Sequence, residues 1–274
     1  MTRGRMSISP LAAAYLCERF DSHVHPLLRV GRLAGEPTRD ELARAAELGR
    51  QDLARRGYLE RDELHPFLDD AWQLLSRPPL AVGVAVHAKR GTSFNAVCVE
   101  HGRATVQAYQ ADGENNDDLQ DIVLSRNEYG GPAGNAVELI GSPPPGKGGT
   151  ASVPVDALDN ATHRMRRNPT GTLLSALTGA GVKSADARVL AAVLTAEREL
   201  DGVFTVRSHD RRVGRTHRPP FSVSFFTGPD GCYLTQKREG GDGRQWFTVA
   251  PADRRKLTAK IDEMARMVAL PAAR

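Results

Sequence analysis

Aromatic residues and cysteines are scarce in this chain of 274 residues. Aromatic side chains make up 5% of the sequence, and cysteine occurs three times. Cys17, Cys98 and Cys232 lie too far apart for a CxxC pair or another metal-ligand spacing, and their odd number argues against a disulfide framework. We therefore expect reduced cysteines that act as small buried side chains in a reducing compartment.

Long apolar runs are missing as well. The richest runs, residues 81–86 and 189–194, are far shorter than the roughly 20 residues of a membrane helix. The N-terminus lacks the pattern of a signal peptide, because the brief apolar stretch 11–16 is soon followed by Glu18 and Arg19. The sequence thus predicts a cytoplasmic protein without membrane insertion.

Neither sign of charge dominates. The chain has 37 lysines and arginines against 33 acidic residues, so its formal net charge is +4, which is too small for a broad basic platform. Hydrophobic residues make up 40% of the sequence, and 26 glycines and 17 prolines follow no fixed period. This composition excludes a disordered or collagen-like chain and suits one large domain or two closely packed ones.

Helix signals come first along the chain. The predicted helices of the first half cover residues 9–20, 38–57 and 66–76. Thr38 and Glu41 form a capping box, and Gly57 provides a stop for the same helix. Pro66 is well placed at a first helical position. Residues 21–29 between the first two helices are expected to form a loop.

The hydrophobic period then changes to two. Strands are predicted over residues 80–87, 94–99 and 103–111, with turns at 89–92 and 101–102. Such a succession is typical of an antiparallel meander. A helix over 117–126 and a Gly/Pro-rich connector over 130–149, with one apolar piece at 136–140, are expected to follow.

The second half repeats this order from about residue 150. Its predicted helices cover 170–178, 185–197 and 251–268, and its predicted strands cover 203–207, 221–227, 232–237 and 245–249. We therefore predict an α+β fold of two quasi-repeated halves, 1–149 and 150–274. Each half is expected to be an antiparallel sheet flanked by helices, and the halves are expected to pack about a pseudo-twofold, as separate sheets or as one continuous sheet.

Motifs of catalysis are absent from the sequence. It contains no HExxH, GxSxG, GxGxxG or EF-hand pattern. Residues 141–147 spell GxxxxGK, but three prolines remove backbone N–H donors, and Gly148 replaces the hydroxyl that would reach magnesium. We interpret this segment as a flexible linker, and we predict a protein that is not an enzyme and has no cofactor.

Two groups of polar residues leave alternatives open. His23 and His25 could chelate a metal, but no third ligand is near, so a solvated or capping role is favoured. Residues 209–218 form a basic loop that includes Arg211, Arg212, Arg215 and Arg218. Because no aromatic side chains alternate with these arginines, a solvated hairpin is favoured, and a nucleic-acid-binding module is the alternative function.

Several stretches spread over the chain resemble a known protein family. They are RRGYL at 55–59 with LHP at 64–66 and LLSRP at 74–78, SVPVDAL at 152–158, and WFTVAPAD at 246–253 with Leu257. They are similar, in this order, to an ARGL, LHP and LARP series, a SVPADAL junction between halves, and a C-terminal TVAPAD strand and helix start. The chain therefore resembles the EspG-type chaperones of type VII (ESX) secretion systems.

The resemblance implies an α+β fold of two halves and a cytosolic, non-enzymatic chaperone. Proteins of this family bind the helical tip of PE/PPE-type heterodimers and keep them soluble for export. The hairpin that reaches over the client is often long in the family, whereas its candidate here, residues 89–92, is short. No small-molecule substrate, metal or nucleic acid is expected as a partner. The candidate partner-binding residues are the anchors Phe94, Phe226 and Met267 and the rim charges Lys89, Arg90 and Arg255.

Overall fold

The computed structural model describes residues 4–31, 35–115, 117–168 and 170–269. Its helices are α1 Pro10–Arg19, α2 Arg39–Arg55, α3 Pro66–Ser76, α4 Gly131–Glu138, α5 Val155–Arg167, α6 Leu173–Gly179, α7 Ser184–Leu194 and α8 Arg254–Val268. The strands of the first half are β1 Met6–Ile8, β2 Leu59–Glu60, β3 Glu63–Leu64, β4 Ala81–Ala88, β5 Phe94–His101, β6 Ala104–Ala111 and β7 Ile122–Asn127. The strands of the second half are β8 Ala151–Pro154, β9 Leu200–Asp210, β10 Arg215–His217, β11 Val223–Gly228, β12 Gly231–Glu239 and β13 Gln245–Pro251.

One large sheet runs through both halves of the sequence. Its strand order is β1-β7-β6-β5-β4-β9-β11-β12-β13-β8, with β10 paired to β9, and β2 and β3 form a separate hairpin. The halves meet where β4 pairs with β9 in an antiparallel register that runs from Ala81↔Arg207 to Ala88↔Leu200. We call this pairing the seam. The α+β prediction is confirmed, with one continuous sheet.

The order of elements repeats between the halves. Each half supplies an outer edge strand (β1 or β8), then three helices, then a meander that starts at the seam and runs outward, and finally a helix (α4 or α8). This correspondence supports the predicted quasi-repeat. The exact pseudo-twofold and the boundary at 149/150 stay predictions.

Helices cover the two faces of the sheet differently. On one face, which we call the closed face, α4 and α8 lie across the seam over a core that includes Val84, Phe204, Phe225 and Met264. On the other, the open face, α1–α3 pack over the first half around Leu16, Leu68 and Trp72. A second group, α5–α7, packs over the other half around Leu177 and Leu190. The open face therefore has two separate helical layers.

Local sequence signals placed several elements correctly. The capping box of α2 is present, because Thr38 Oγ1 accepts the N–H of Glu41 and Glu41 Oε2 accepts the N–H of Thr38. Pro66 begins α3, as predicted. The three strands of the first meander are confirmed, and so are those of the second and the terminal helix, with boundaries shifted by a few residues. Strand β9 is longer than predicted, because its end pairs with β10.

The helix predicted over 117–126 is wrong. Residues Ile122–Asn127 form β7, whose buried Ile122 and Leu124 alternate with more exposed neighbours. Pairing with both β6 and β1 fixes this extended conformation. The residues before it form a turn in which Asn115 Oδ1 accepts the N–H groups of Asp117 and Asp118. Asp117 and Asp118 therefore belong to a loop, and strand pairing determines the conformation of the residues that follow.

The predicted connector, residues 130–149, contains a core helix. Ala133, Ala136 and Val137 of α4 are buried against the closed face. The buried Asn135 amide donates to the carbonyls of Tyr129 and Gly131, which holds the start of α4 in place. Helix α5 was not predicted either, although Ala157, Leu158, Ala161 and Met165 follow a helical spacing.

The segment interpreted as a flexible linker is hydrogen-bonded to the second half. Cys232 donates its N–H to the Pro144 carbonyl, and the N–H of Gly146 donates to the Cys232 carbonyl, both at 2.8 Å. Lys147 Nζ pairs with Asp230 at 2.9 Å, and Tyr233 Oη donates to the Lys147 carbonyl. We call residues 144–147 the docked connector. Its backbone lies against β12 and does not form an open phosphate-binding loop.

Replacing Gly146 by alanine is expected to lower the free energy of unfolding by about 1 to 2 kcal/mol. A Cβ atom at position 146 would overlap the ring of Tyr233, which is stacked on Phe226 and has no free direction to move. Urea denaturation measures the change. Gly149→Ala is the matched control, because its Cβ would meet Val189 Cγ2 at an ordinary 3.9 Å. Equal losses in the two variants would contradict the prediction.

Candidate functional site

A strip of the open face lies between the two helical layers. It is lined by Ala85, Val203, Thr205, Ser224, Thr235 and Phe247 from adjacent strands of the sheet. Two cavities of about 600 and 550 Å³ share Ser224, Thr235 and Phe247 and so form one depression across the seam. We call it the central groove.

Strand alternation explains why the groove is open on one side of the sheet. On β9 and β11, Phe204 and Phe225 point to the closed face and are almost completely buried. Their neighbours Val203 and Ser224 point to the open face and are half-buried. Small and hydroxyl-bearing side chains therefore form much of the floor of the groove.

One end of the groove carries charges of both signs. His87, Asp112, Arg198 and Asp201 line it. Asp112 accepts a hydrogen bond from Asn95 Nδ2 at 3.2 Å and lies 3.7 Å from Arg29. The Arg198 guanidinium lies 4.6 Å from the centre of the Phe226 ring, within the range of a cation–π contact. This mixed end is thus partly neutralised by its own side chains.

The other end of the groove is cationic. Arg218 and Lys237 line it together with Thr205, Ser222 and Gln245, and no carboxylate is among its lining residues in the described part of the chain. Arg207 lies on the same face, two residues beyond Thr205 on β9. Burial and the charge of Arg218 lower the pKa of Arg207. We call this region the cationic end.

His25 lies against the open face of the sheet near Thr205 and is 3% exposed. Its ring is close to Thr205, because a Cβ atom placed on Gly83 would contact both side chains. The Leu27 N–H donates to His25 Nδ1 at 3.3 Å, whereas His25 Nε2 is buried without a partner in the described part of the protein. Burial, with the charges of Arg207 and Arg218, lowers the pKa of His25 to about 3. His25 is therefore a neutral core residue and is not solvated.

The six candidate residues from the sequence do not form one surface. Lys89 and Arg90 are exposed in the turn after β4, where Lys89 pairs with Glu197. Arg255 and Met267 are exposed on α8, which covers the closed face. Among the six, Phe226 lines the central groove, at its mixed end.

Both candidate phenylalanine anchors lie in the core. Phe94 is buried against Tyr109, with the ring centres 4.9 Å apart. Phe226 is buried against Tyr233, with the ring centres 5.3 Å apart. These packing contacts leave little of either ring for a partner to reach.

The basic segment 209–218 is divided by the structure. Its first part forms a hairpin in which β10 pairs with the end of β9, and Arg211, Arg212 and Arg215 are exposed there. Arg218 follows the hairpin and lines the groove instead. The favoured solvated hairpin thus describes most of this segment, and Arg218, which is exposed as well, lies outside the hairpin at the groove.

Sequence reasoning missed the floor of the groove. Thr205, Ser224 and Thr235 are small residues without a motif, and they come together through pairing between β9, β11 and β12. The sequence did show hydroxyl residues next to Phe204 and Phe225, in the alternation of apolar and polar side chains that is typical of a strand. This alternation indicates that one face of the sheet is partly exposed, but it does not indicate which strands pair with each other.

Outside the groove, the cysteines and the possible metal ligands of the described residues do not form a catalytic or metal site. Burial raises the pKa of Cys98 and of Cys232 to about 12, so neither thiol is ionised at neutral pH. Within residues 4–31, 35–115, 117–168 and 170–269, no group of three or more His, Cys, Asp and Glu side chains is arranged to hold a metal ion. In the same ranges, every helix is too short or too polar to span a membrane.

The sequence model of the EspG family matches residues 9–263, and the chain belongs to this family. Among solved structures, it is similar to the type VII secretion system chaperone EspG5 of Mycobacterium tuberculosis, which was determined in complex with a PE25–PPE41 dimer. The TM-score is 0.70 at 14% sequence identity, over 99% of both chains. The family and the fold inferred from the sequence are thereby confirmed.

Two other solved structures are far less similar. A dehydratase from type I polyketide synthases matches with a TM-score of 0.21 and 11% identity, over 68% of this chain and 80% of that one. HtdX of Mycobacterium tuberculosis matches with a TM-score of 0.15 and 12% identity, over 89% of this chain and 96% of that one. No curated protein matches the sequence.

Proposed function

We propose that this protein is a cytoplasmic, non-enzymatic chaperone of a type VII (ESX) secretion system. It binds a PE/PPE-type helical heterodimer, keeps it soluble and delivers it for export. Membership of the EspG family over residues 9–263 supports this role, as does the likeness to EspG5, which was solved with a PE25–PPE41 dimer. The central groove is the observation that supports the proposed position of the client on the protein.

The groove suits the end of a helical hairpin. A sheet face is normally covered by helices, and here the helical layers leave an uncovered strip between them. A client tip seated on Val203, Ser224 and Phe247 would complete the layer that the chain itself leaves open. Covering the client's apolar tip removes the surface through which the client would self-associate.

The contacts of the hydroxyl groups near the groove favour a binding surface over a catalytic site. Ser224 and Thr235 in the groove make no hydrogen bond to a histidine or a carboxylate in the described ranges. The Ser93 hydroxyl does lie 3.3 Å from His87 Nδ1, but it also accepts the Ala88 N–H at 3.0 Å and thereby closes the turn between β4 and β5. That role is structural. No cofactor or metal is part of the proposed mechanism.

Replacing Thr235 by tryptophan is expected to weaken client binding at least tenfold, a change of about 1.4 kcal/mol. The indole would occupy the middle of the groove, while the strand would retain its pairing because aromatic residues suit strands. The probe is the PE/PPE-type pair encoded beside this chain, co-purified and then titrated by calorimetry.

The matched control is Thr258→Trp on α8, whose helix packs on the closed face. It should bind the client as the unmodified chain does. If the unmodified chain forms no complex with the pair, or if Thr235→Trp binds it with unchanged affinity, the proposed function or its placement in the groove is wrong.

A further inference from the structure

Two arginines lie side by side at the cationic end of the groove. The β9–β10 ladder ends at the pair Ser208↔His217, so the next residues along the two strands are Arg207 and Arg218. Arg218 lines the cavity with Thr205, and Arg207 follows Thr205 on the same face. Lys237 of β12 lines that cavity as well. Two cationic side chains therefore line one recess, and Arg207 lies on the strand beside it.

Among the described residues, Arg207, Arg218 and Lys237 have no ion-pair partner. Some other basic residues of the protein are paired, for example Lys147 with Asp230 at 2.9 Å and Arg238 with Glu263 at 2.9 Å. In the described part of the chain, no acidic residue lines the recess. Like charges placed opposite each other are unfavourable. An unpaired arrangement of this kind is relieved when an anion enters.

We propose that the cationic end is a recognition site for an acidic side chain of the client. The inference rests on the proposed function and adds the chemistry of the partner: a carboxylate at the part of the client that reaches the groove. Guanidinium groups bind carboxylates through paired, charge-assisted hydrogen bonds. The hydroxyl groups of Thr205 and Ser222 supply further donors beside them.

The surroundings favour a protein carboxylate over a nucleic acid. A nucleic acid needs a row of basic contacts along an extended backbone, with aromatic faces on which its bases can stack. Here Arg218 and Lys237 line one recess of the open sheet face, and the hairpin residues Arg211, Arg212 and Arg215 are not among its lining residues. A single carboxylate suits this geometry better than a chain of phosphates.

The test reverses charge inside and outside the recess. The double variant Arg218→Glu/Lys237→Glu should bind the PE/PPE-type pair at least tenfold more weakly, because its two new carboxylates would repel the carboxylate of the client. Arg211→Glu/Arg212→Glu changes the net charge equally on the exposed hairpin and should bind the pair as before. Titrations at 50 and 300 mM salt should show a loss of affinity with salt in the unmodified chain and a smaller one in the recess variant.

The outcomes separate this inference from the proposed function. If Thr235→Trp loses the client but the recess variant does not, the groove is the docking site and the carboxylate contact is wrong. If the hairpin variant loses the client as strongly as the recess variant, the effect is one of net charge, and the inference fails. Binding of a 20-base DNA strand that is lost in either charge variant would instead assign the basic residues to nucleic acid.

A second measurement distinguishes a role of Arg218 in client binding from a role in stability alone. Arg218→Gln removes the repulsion with Arg207, so the free chain should melt at a higher temperature while its affinity for the client falls. A structural arginine predicts the opposite change in melting temperature. A lowered melting temperature together with unchanged client affinity would overturn the proposal.

Discussion

Phe204→Ala is expected to lower the free energy of unfolding by about 3 to 5 kcal/mol. The Phe204 side chain is completely buried on β9, directly beside the seam, and its ring centre lies 5.0 Å from that of Phe225. Removing the ring leaves a cavity between the sheet and α8 that the paired strands cannot close. Chemical denaturation followed by circular dichroism measures the loss. Tyr129→Ala is the control, because Tyr129 is 82% exposed and its loss should change stability by less than about 0.5 kcal/mol.

The same experiment tests whether the halves are independent. The core on the closed face combines Val84 and Ala136 of the first half with Phe225 and Ile261 of the second. Because both halves share it, we expect Phe204→Ala to shift a single cooperative transition. Two separate transitions, with one at the position seen in the unmodified chain, would show that 1–149 and 150–274 unfold on their own.

Acid is expected to destabilise the protein through His25 by about 2 kcal/mol between pH 7 and pH 5. In the folded chain, burial and the charges of Arg207 and Arg218 lower the pKa of His25 from 6.5 to about 3. The unfolded chain therefore binds a proton at His25 below pH 6.5, and the folded chain does not until about pH 3. The stability is fully present above pH 6.5 and falls by about 1.4 kcal/mol per pH unit below it.

The range above pH 5 separates this effect from the acidic side chains. Above pH 5 these carboxylates are largely ionised in both states, because the ordinary pKa of glutamate, 4.5, lies below this range and hydrogen bonds and charges lower the pKa of Glu47 and of Glu263 in the folded chain. Unfolding free energies from urea titrations at pH 7, 6 and 5 give the slope directly.

His25→Asn removes the titration but keeps an acceptor for the Leu27 N–H, so the slope between pH 7 and pH 5 should become shallower by about 2 kcal/mol in total. His65→Asn is the matched control. His65 Nδ1 accepts the N–H of Phe67 at 3.2 Å in the same way, but His65 is exposed. Identical slopes in the His25→Asn variant and the unmodified chain would refute the assignment.

Elements with a strong local signal were predictable from the sequence. The capping box of α2, Pro66 at the start of α3 and the alternation along β4 each act within a few residues, so the sequence specifies them without knowledge of the fold. Strand β7 was not predictable in this way. Its conformation depends on pairing with β6 and with β1, which lies more than a hundred residues earlier in the chain.

The site was less predictable than the fold. The groove is produced by strands from both halves, and its floor residues Thr205, Ser224 and Thr235 carry no motif. Arg218 was noticed as part of a basic segment, but its position beside Arg207 follows from the register of β9 and β10. The aromatic anchors Phe94 and Phe226 were chosen by residue type, and packing with Tyr109 and Tyr233 places both in the core.

The position of the seam has a consequence for biosynthesis. Strand β4 leaves the ribosome more than a hundred residues before β9, its partner, and domains form as synthesis proceeds from the N-terminus. Until β9 is translated, the nascent chain therefore exposes the hydrogen-bonding groups of β4 next to Val82, Val84 and Val86. A free strand edge of this kind readily pairs with other chains. The protein thus passes through an aggregation-prone stage during its own translation.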